Sequence, residues 1–125
     1  MTPEPDTVTL TLPALPESAR IVRLGGAALG LRSGLSFAEI DELRSVLDRA
    51  VALLSSPAGD DPIHVDFRIA NDGLQIELSR PGIEQWPAQA MAELADDDEA
   101  QLSEMELLAS ERRLRLFKQP SPVGV

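Results

Sequence analysis

The side chains that could do chemistry are few and far apart. His64 is the only histidine, and it stands two residues before Asp66 with no serine or cysteine elbow near it. A catalytic triad needs a nucleophile, a base and an orienting acid in contact, so these two are better interpreted as ordinary strand residues. The sequence contains no cysteine, which excludes disulfides, thiolate metal sites and cysteine nucleophiles. We therefore predict no catalytic residue here.

Two further motifs resemble ligand-binding motifs, but neither has the residue spacing that binding of the ligand requires. The run Asp96–Glu99 has consecutive acids, without the spaced ligands and turn glycine of a calcium loop, which favours a solvated loop. The segment Gly25–Gly30 reads GGAALG, which does not match the GxGxxG spacing of a dinucleotide loop and lies inside a predicted helix. Its paired glycines indicate close helix packing or a kink. We expect no metal site and no cofactor at either motif.

Composition narrows the class of protein. The chain has 125 residues, a single-domain length, and is 43% hydrophobic but only 3% aromatic, so the core must be aliphatic. Eleven basic against 21 acidic residues give a net charge of −10, which repels phosphate backbones and anionic lipid. No apolar run has the length of a membrane span or signal peptide. We expect a cytoplasmic protein that binds neither nucleic acid nor membrane.

The first half of the chain should form one strand and two helices. Thr7–Leu12 alternates threonine with aliphatic residues, which is typical of a strand, and 17–31 carries an apolar stripe typical of a helix. Ser36–Ser56 is the clearest element, since Ser36 and Glu39 form a capping box and apolar residues recur at helical spacing. These elements must position any functional residue.

The second half alternates strands with less regular segments. Ile63–Ala70 and Leu74–Ser79 flank the turn residues Asn71-Asp72-Gly73 and therefore predict a hairpin. Residues 81–100 are expected to form an irregular acidic loop with a short helical piece at Ala88–Ala95. Gln101–Ser110 is predicted to be a helix, and Arg112–Lys118 a final strand.

These elements predict an α/β two-layer sandwich of the α+β type. Its mixed, mostly antiparallel sheet has about four strands and carries the helices on one face, because the hairpin strands alternate apolar and polar residues. The order is strand, helix, helix, strand, strand, loop, helix, strand. One domain spans 7–118, between a flexible lead-in at 1–6 and a flexible tail at 119–125.

This order, with Ser18-Ala19-Arg20 early in the first helix, resembles the bacterial anti-sigma-factor serine kinases of the histidine-kinase-like ATPase family. The resemblance covers about residues 7–118 and implies their Bergerat fold. In that family the second helix carries a glutamate general base and, four positions later, an asparagine Mg²⁺ ligand. The alignment places Arg49 and Leu53 there, and a shift by one residue offers Asp48 and Ala52 instead.

The nucleotide boxes of that family also differ in this chain. Its adenine-reading Asp-x-Gly-x-Gly box would have Arg80 for the aspartate, retains Gly82 and has Glu84 for the second glycine, while the later phosphate box is expected near 98–104, a segment with no glycine. Phosphoryl transfer needs metal ligands and backbone N–H groups at the phosphates. The resemblance therefore implies a degenerate ATPase scaffold with no cofactor. Arg49 and Arg80 are either ordinary surface arginines or, if they approach the sheet, need water or carboxylate partners such as Asp48 or Glu77.

The leading functional hypothesis is a non-catalytic regulatory protein that acts by protein–protein docking, in the manner of an anti-sigma factor. Its partner would be a sigma factor or an anti-sigma antagonist, and the resemblance implies a homodimer. One alternative is a divergent ATP-binding serine kinase with residual nucleotide binding; another is a structural or assembly subunit of unrelated α/β fold. The candidate partner surface comprises Trp86, Met91, Arg112, Arg113 and Arg115, although Trp86 could equally pack on the core.

Overall fold

The structure is a computed structural model that describes residues 7–56, 59–70, 73–82, 88–95, 104–108 and 113–120. Two long helices follow the first strand, and a hairpin follows the helices. The elements are β1 (Thr7–Leu12), α1 (Ser18–Arg32), α2 (Phe37–Ser55), β2 (Ile63–Ala70), β3 (Gly73–Ser79), α3 (Ala88–Ala95), β4 (Glu104–Leu108) and β5 (Arg113–Lys118).

The strands form one sheet in the order β1-β2-β3-β5-β4, and every described pair is antiparallel. The register places Phe67 beside Ile76 and Ile76 beside Leu116, and all three are buried on one face of the sheet. The opposite face carries polar residues such as Asp66 and Glu77, which lie side by side. This confirms the predicted two-layer α+β sandwich. The described strand pairs are all antiparallel rather than mixed, and the described residues form five strands rather than about four.

The additional strand is β4, where the sequence analysis predicted a helix over Gln101–Ser110. That prediction is wrong, because Glu104–Leu108 pairs with β5 in the sheet. Glutamate, methionine and leucine all favour helices, but the order Glu-Met-Glu-Leu also alternates with a period of two. Pairing with a neighbouring strand overrides the intrinsic preference. The short helix predicted at Ala88–Ala95 is confirmed as α3.

The helices form a second layer in which α1 lies over β2 and β3 and packs beside α2, while α3 contacts α2 and β4. Glycines allow this close approach. A Cβ at Gly25 would lie 3.0 Å from the ring of Phe67, and one at Gly26 would lie 2.9 Å from Leu47 on α2. The interpretation of these glycines as packing residues is confirmed.

The start of α2 is fixed as predicted. The Ser36 side-chain oxygen accepts from the Glu39 backbone N–H at 3.1 Å, and the Ser36 N–H donates to Oε1 of Glu39 at 2.9 Å. Each bond satisfies a backbone donor that would otherwise lack a partner at a helix start. The capping box therefore sets where α2 begins.

Candidate functional site

Arg80 is the most unusual residue at the positions that the resemblance singled out. It directly follows β3 and is fully buried, at 0% exposure. Its Nε donates to the carbonyl oxygen of Asp61 at 2.8 Å, Nη1 to that of Leu54 at 2.9 Å and Nη2 to that of Gly59 at 3.0 Å. The buried cation is thus stabilised by carbonyl oxygens, and we call this arrangement the Arg80 clasp.

The local backbone explains why a cation is stable there. Leu54 lies in the last turn of α2, where carbonyl groups lack helical partners and the helix dipole favours positive charge. Gly59 has φ of +140°, a conformation that favours glycine, in the connection between α2 and β2. A Cβ at Gly82 would collide with the Asp61 carboxylate, so the chain after β3 runs tightly against this connection.

The predicted carboxylate partners of Arg80 are engaged elsewhere. Asp48 lies 3.3 Å from Nε of Arg23 on α1. Glu77 accepts from Arg115 at 2.8 Å and from Arg113 at 3.2 Å. Strand alternation sends Glu77 to the polar face, whereas Arg80 continues the buried series of β3, so the contacts that hold Arg80 come from carbonyl groups instead.

The other positions that the resemblance singled out lie in environments that differ from one another. Arg49 is exposed on α2, whereas Leu53 is partly buried against the hydrophobic core. Gly82 lies against Asp61, next to the clasp. Leu53 offers no oxygen for a metal ion, and Arg49 offers a cation where the family has a general base. The second helix therefore supplies neither group at the aligned positions.

Only part of the candidate partner surface lies among the described residues. Arg113 and Arg115 lie on the polar face of the sheet and are about 40% exposed, at 40% and 38%, while both bind Glu77. Trp86 and Arg112 lie outside the described residues, as does the side chain of Met91 on α3. The prediction that these residues form one surface stays a prediction.

An apolar stripe on α1 is exposed, which was not predicted from the sequence. Val22 and Leu29 are buried as expected, but Leu24 is 67% exposed, Leu31 50% and Ile21 47%. The available signal was the number of apolar residues in α1, which exceeds what one packed face can hold. Beside the stripe is a groove of about 280 Å³, lined by Arg20, Arg23, Leu24, Ala27 and Arg44.

Within the described ranges, no group of three or more histidine, aspartate or glutamate residues is placed to hold a metal ion. None of the described helices combines the length and apolar character needed to cross a membrane.

The chain is similar in sequence to known proteins over part of its length. No family model matches the chain. Over 81 residues it is 31% identical to serine-protein kinase RsbW of Listeria innocua serovar 6a, and to that of Listeria monocytogenes serotype 4a, covering 62% of this chain. It spans about half of those relatives, 52% of their length. The chain is therefore weakly similar to the class of kinase that the resemblance indicated, over part of its length.

Proposed function

We propose that this chain is a non-catalytic regulatory protein that acts by docking to another protein, on a histidine-kinase-like ATPase scaffold whose nucleotide boxes have degenerated. The observation that carries the proposal is the Arg80 clasp. At the position where the family would read adenine with a carboxylate, this chain has a buried guanidinium. Three of its N–H groups are already donated to backbone carbonyls.

The chemistry of the aligned positions supports the same proposal. A carboxylate can accept from the exocyclic amine of adenine, whereas arginine has no acceptor. Mg²⁺ prefers oxygen ligands, which Leu53 does not provide. With the base-reading acid, the metal ligand and the general base all replaced, binding to a protein is the activity that this scaffold retains.

The proposed partner is a sigma factor or an anti-sigma antagonist, and the proposed location is the cytoplasm. The similarity to the RsbW serine-protein kinases supports this choice. We also propose a homodimer. The glycine face of α1 is used within the protomer, against Phe67 and Leu47, so dimerisation requires another surface.

Calorimetric titration with Mg-ATP tests the loss of nucleotide binding. We expect no measurable binding up to millimolar nucleotide, because the base-reading position is occupied by the Arg80 clasp. An Arg49→Glu, Leu53→Asn double variant, which leaves the clasp intact, should also fail to bind. Micromolar affinity in the unmodified chain would overturn the proposal.

A divergent serine kinase is the second candidate, because the relatives are kinases at 31% identity. It would use Asp48 as its base, and that carboxylate lies 3.3 Å from Nε of Arg23. Transfer of radiolabelled phosphate from ATP to a protein substrate, abolished by Asp48→Asn, would establish this function. The third hypothesis is an assembly subunit of unrelated α/β fold, which would lack two helices packed over the sheet. The observed packing of α1 over β2 and β3, with α2 beside it, does not favour that hypothesis.

A further inference from the structure

We propose that β1 pairs edge to edge with β1 of a second copy of this chain, so that two sheets join into one. The inference rests on the proposed homodimer and names the surface that forms it. β1 is an edge of the sheet, because β2 is its neighbour on one side and no described strand lies on the other. An edge strand presents backbone N–H and C=O groups that can pair with a further strand.

The surface in question is the backbone edge of β1 rather than its apolar face. The inner face is already anchored, since Leu12 is buried and Leu10 packs against the core. In an antiparallel ladder, every second residue directs its N–H and C=O away from the neighbouring strand. Among the described residues, the backbone of residues 8–12 makes no hydrogen bond outside its ladder with β2. The outward groups are therefore available to another strand.

The two edges of the described sheet differ in their protection against pairing. β4, at the other edge, has the sequence Glu-Met-Glu-Leu-Leu and so carries two charged residues. β1 has the sequence Thr-Val-Thr-Leu-Thr-Leu, with neither a charged residue nor a proline. Charges and prolines on an edge strand discourage pairing with other chains. The edge at β4 is thus protected, whereas the edge at β1 is open to a further strand.

The internal segments outside the described residues are anchored away from this edge. Residues 83–87 and 96–103 adjoin α3, which contacts α2 and β4, and β4 is at the opposite end of the strand order from β1. The segments 57–58, 71–72 and 109–112 are too short to add a strand along β1, which has six residues. This arrangement favours a strand that comes from another chain.

A second copy fits the edge because β1 is complementary to itself. Antiparallel pairing across a two-fold axis perpendicular to the sheet keeps the helices of both copies on the same face. Opposed residues must then lie on one face, so threonine meets threonine and aliphatic meets aliphatic. Two registers retain most of the strand, with either Thr9 or Leu10 opposite its own copy. In the first register, Val8, which is 39% exposed, lies against Leu10 of the second copy.

The charges near the edge do not oppose this arrangement. Neither β1 nor α1 contains an acidic residue, although the whole chain has a net charge of −10. α1 packs over β2 and β3, so the two α1 helices would be at least three strand spacings apart, or about 14 Å. This distance exceeds the screening length of about 8 Å at physiological salt. The arginines of the two α1 helices therefore repel each other only weakly.

The first test uses introduced cysteines, because the chain contains none of its own. Opposed residues in an antiparallel pair have Cα atoms about 4.5–5.5 Å apart, a distance that a disulfide spans. Under mild oxidation, Thr9→Cys should form a disulfide-linked dimer in the first register. A mixture of Thr9→Cys and Thr11→Cys should form a mixed dimer in the second. Ser45→Cys, at an exposed position on α2, is the matched control and should form little dimer.

The second test places like charges at the same edge. Thr9→Lys with Thr11→Lys brings lysines together across the two-fold axis in either register. We expect the dissociation constant of the dimer, measured by analytical ultracentrifugation, to rise about tenfold or more. Ser45→Lys with Ala52→Lys is the control, since it adds the same charge at exposed positions on α2. Circular dichroism confirms that each variant is folded.

Three results would overturn the inference while leaving the proposed homodimer in place. They are a dimer that the β1 cysteines do not cross-link, equal cross-linking by the β1 cysteines and Ser45→Cys, and equal weakening by the two double-lysine variants. In the first case, another part of this chain or a strand of another protein occupies the edge. A monomer at tens of micromolar would overturn both the inference and the homodimer. Calorimetry with Mg-ATP tests the proposed loss of nucleotide binding separately, since that result does not depend on which surface forms a dimer.

Discussion

The buried charge of Arg80 contributes to the stability of the fold. Burial of a guanidinium is costly unless its donors are satisfied, and here carbonyl oxygens of Leu54, Gly59 and Asp61 accept from it. Each of these bonds is charge-assisted, and together they tie the end of α2 to the end of β3.

Replacement of Arg80 by alanine should destabilise the fold strongly. Loss of the guanidinium leaves three carbonyl groups without their donor, and we expect the free energy of unfolding to fall by about 3 kcal/mol or more. Arg80→Lys should recover only part of this, because an ammonium group lacks the planar fork. Urea denaturation monitored by circular dichroism measures both.

The matched control is Arg44→Ala, on the exposed face of α2. Arg44 is half exposed, at 50%, and pairs with Asp41 at 3.2 Å within the same helix. Such surface pairs contribute about 0.5 kcal/mol or less. A similar loss from Arg44→Ala and Arg80→Ala would mean that the clasp is not a major stabilising feature.

The sequence identified Arg80 as a misfit but could not predict its partners. Its type and its position after a strand were readable, and they raised the question of what compensates a buried cation. The answer depends on the backbone of Gly59 and Asp61, whose carbonyl directions are set by tertiary packing between α2 and β2. Carboxylates were the natural expectation, since carbonyl directions are not encoded in residue types.

At the scale of elements, helices and strands were predicted correctly where the local sequence signals agreed with one another. The capping box, helical period and stop signals all predicted α2, and the turn residues predicted the β2–β3 hairpin. In β4, helix propensity and strand alternation disagreed, and pairing with β5 settled the outcome. The exposure of Leu24 could not be predicted from the sequence either, because hydrophobic periodicity identifies an apolar helix face but not whether another element covers it.

Removal of the capping side chain should weaken α2. Ser36→Ala deletes the oxygen that accepts from the Glu39 N–H, and we expect a loss of about 1 kcal/mol in the free energy of unfolding. Ser45→Ala, at an exposed position within the same helix, should be neutral or slightly stabilising. If thermal unfolding shows equal effects for both, the cap is not fixing the helix start.

Enlargement of a glycine in α1 should separate the two layers. Gly25→Leu drives a side chain into the ring of Phe67, and overpacking of this kind costs about 1–3 kcal/mol. Ala28→Leu adds comparable volume on the exposed side of the same helix and should change stability by less than about 0.5 kcal/mol. Differential scanning calorimetry distinguishes the two, and a harmless Gly25→Leu would contradict the observed packing.

At the scale of the whole molecule, an acidic chain is built around an aliphatic core. Its net charge of −10 means that folding gathers like charges together. Local pairs such as Lys118 with Glu42, at 2.8 Å, and Arg115 with Glu77 offset only part of that repulsion. Long-range repulsion therefore remains in the folded state.

Added salt should stabilise the protein. Screening shortens the reach of charge interactions from about 30 Å at 0.01 M to about 8 Å at 0.15 M salt, which relieves repulsion between distant acids more than it weakens contact pairs. We expect the thermal midpoint to rise by a few degrees over this range. A falling midpoint would show that ion pairs such as Arg115 with Glu77 outweigh the net charge.

The Arg80 clasp also bears on how this chain could evolve. On the proposed descent from an ATP-binding ancestor, a change of Arg80 back to aspartate would first break three hydrogen bonds and bury an acid among carbonyl oxygens. The reverse mutation lowers stability before any benefit can appear, so selection opposes the first step. On that proposed descent, each later change that accommodates the arginine would make the ancestral aspartate harder to restore.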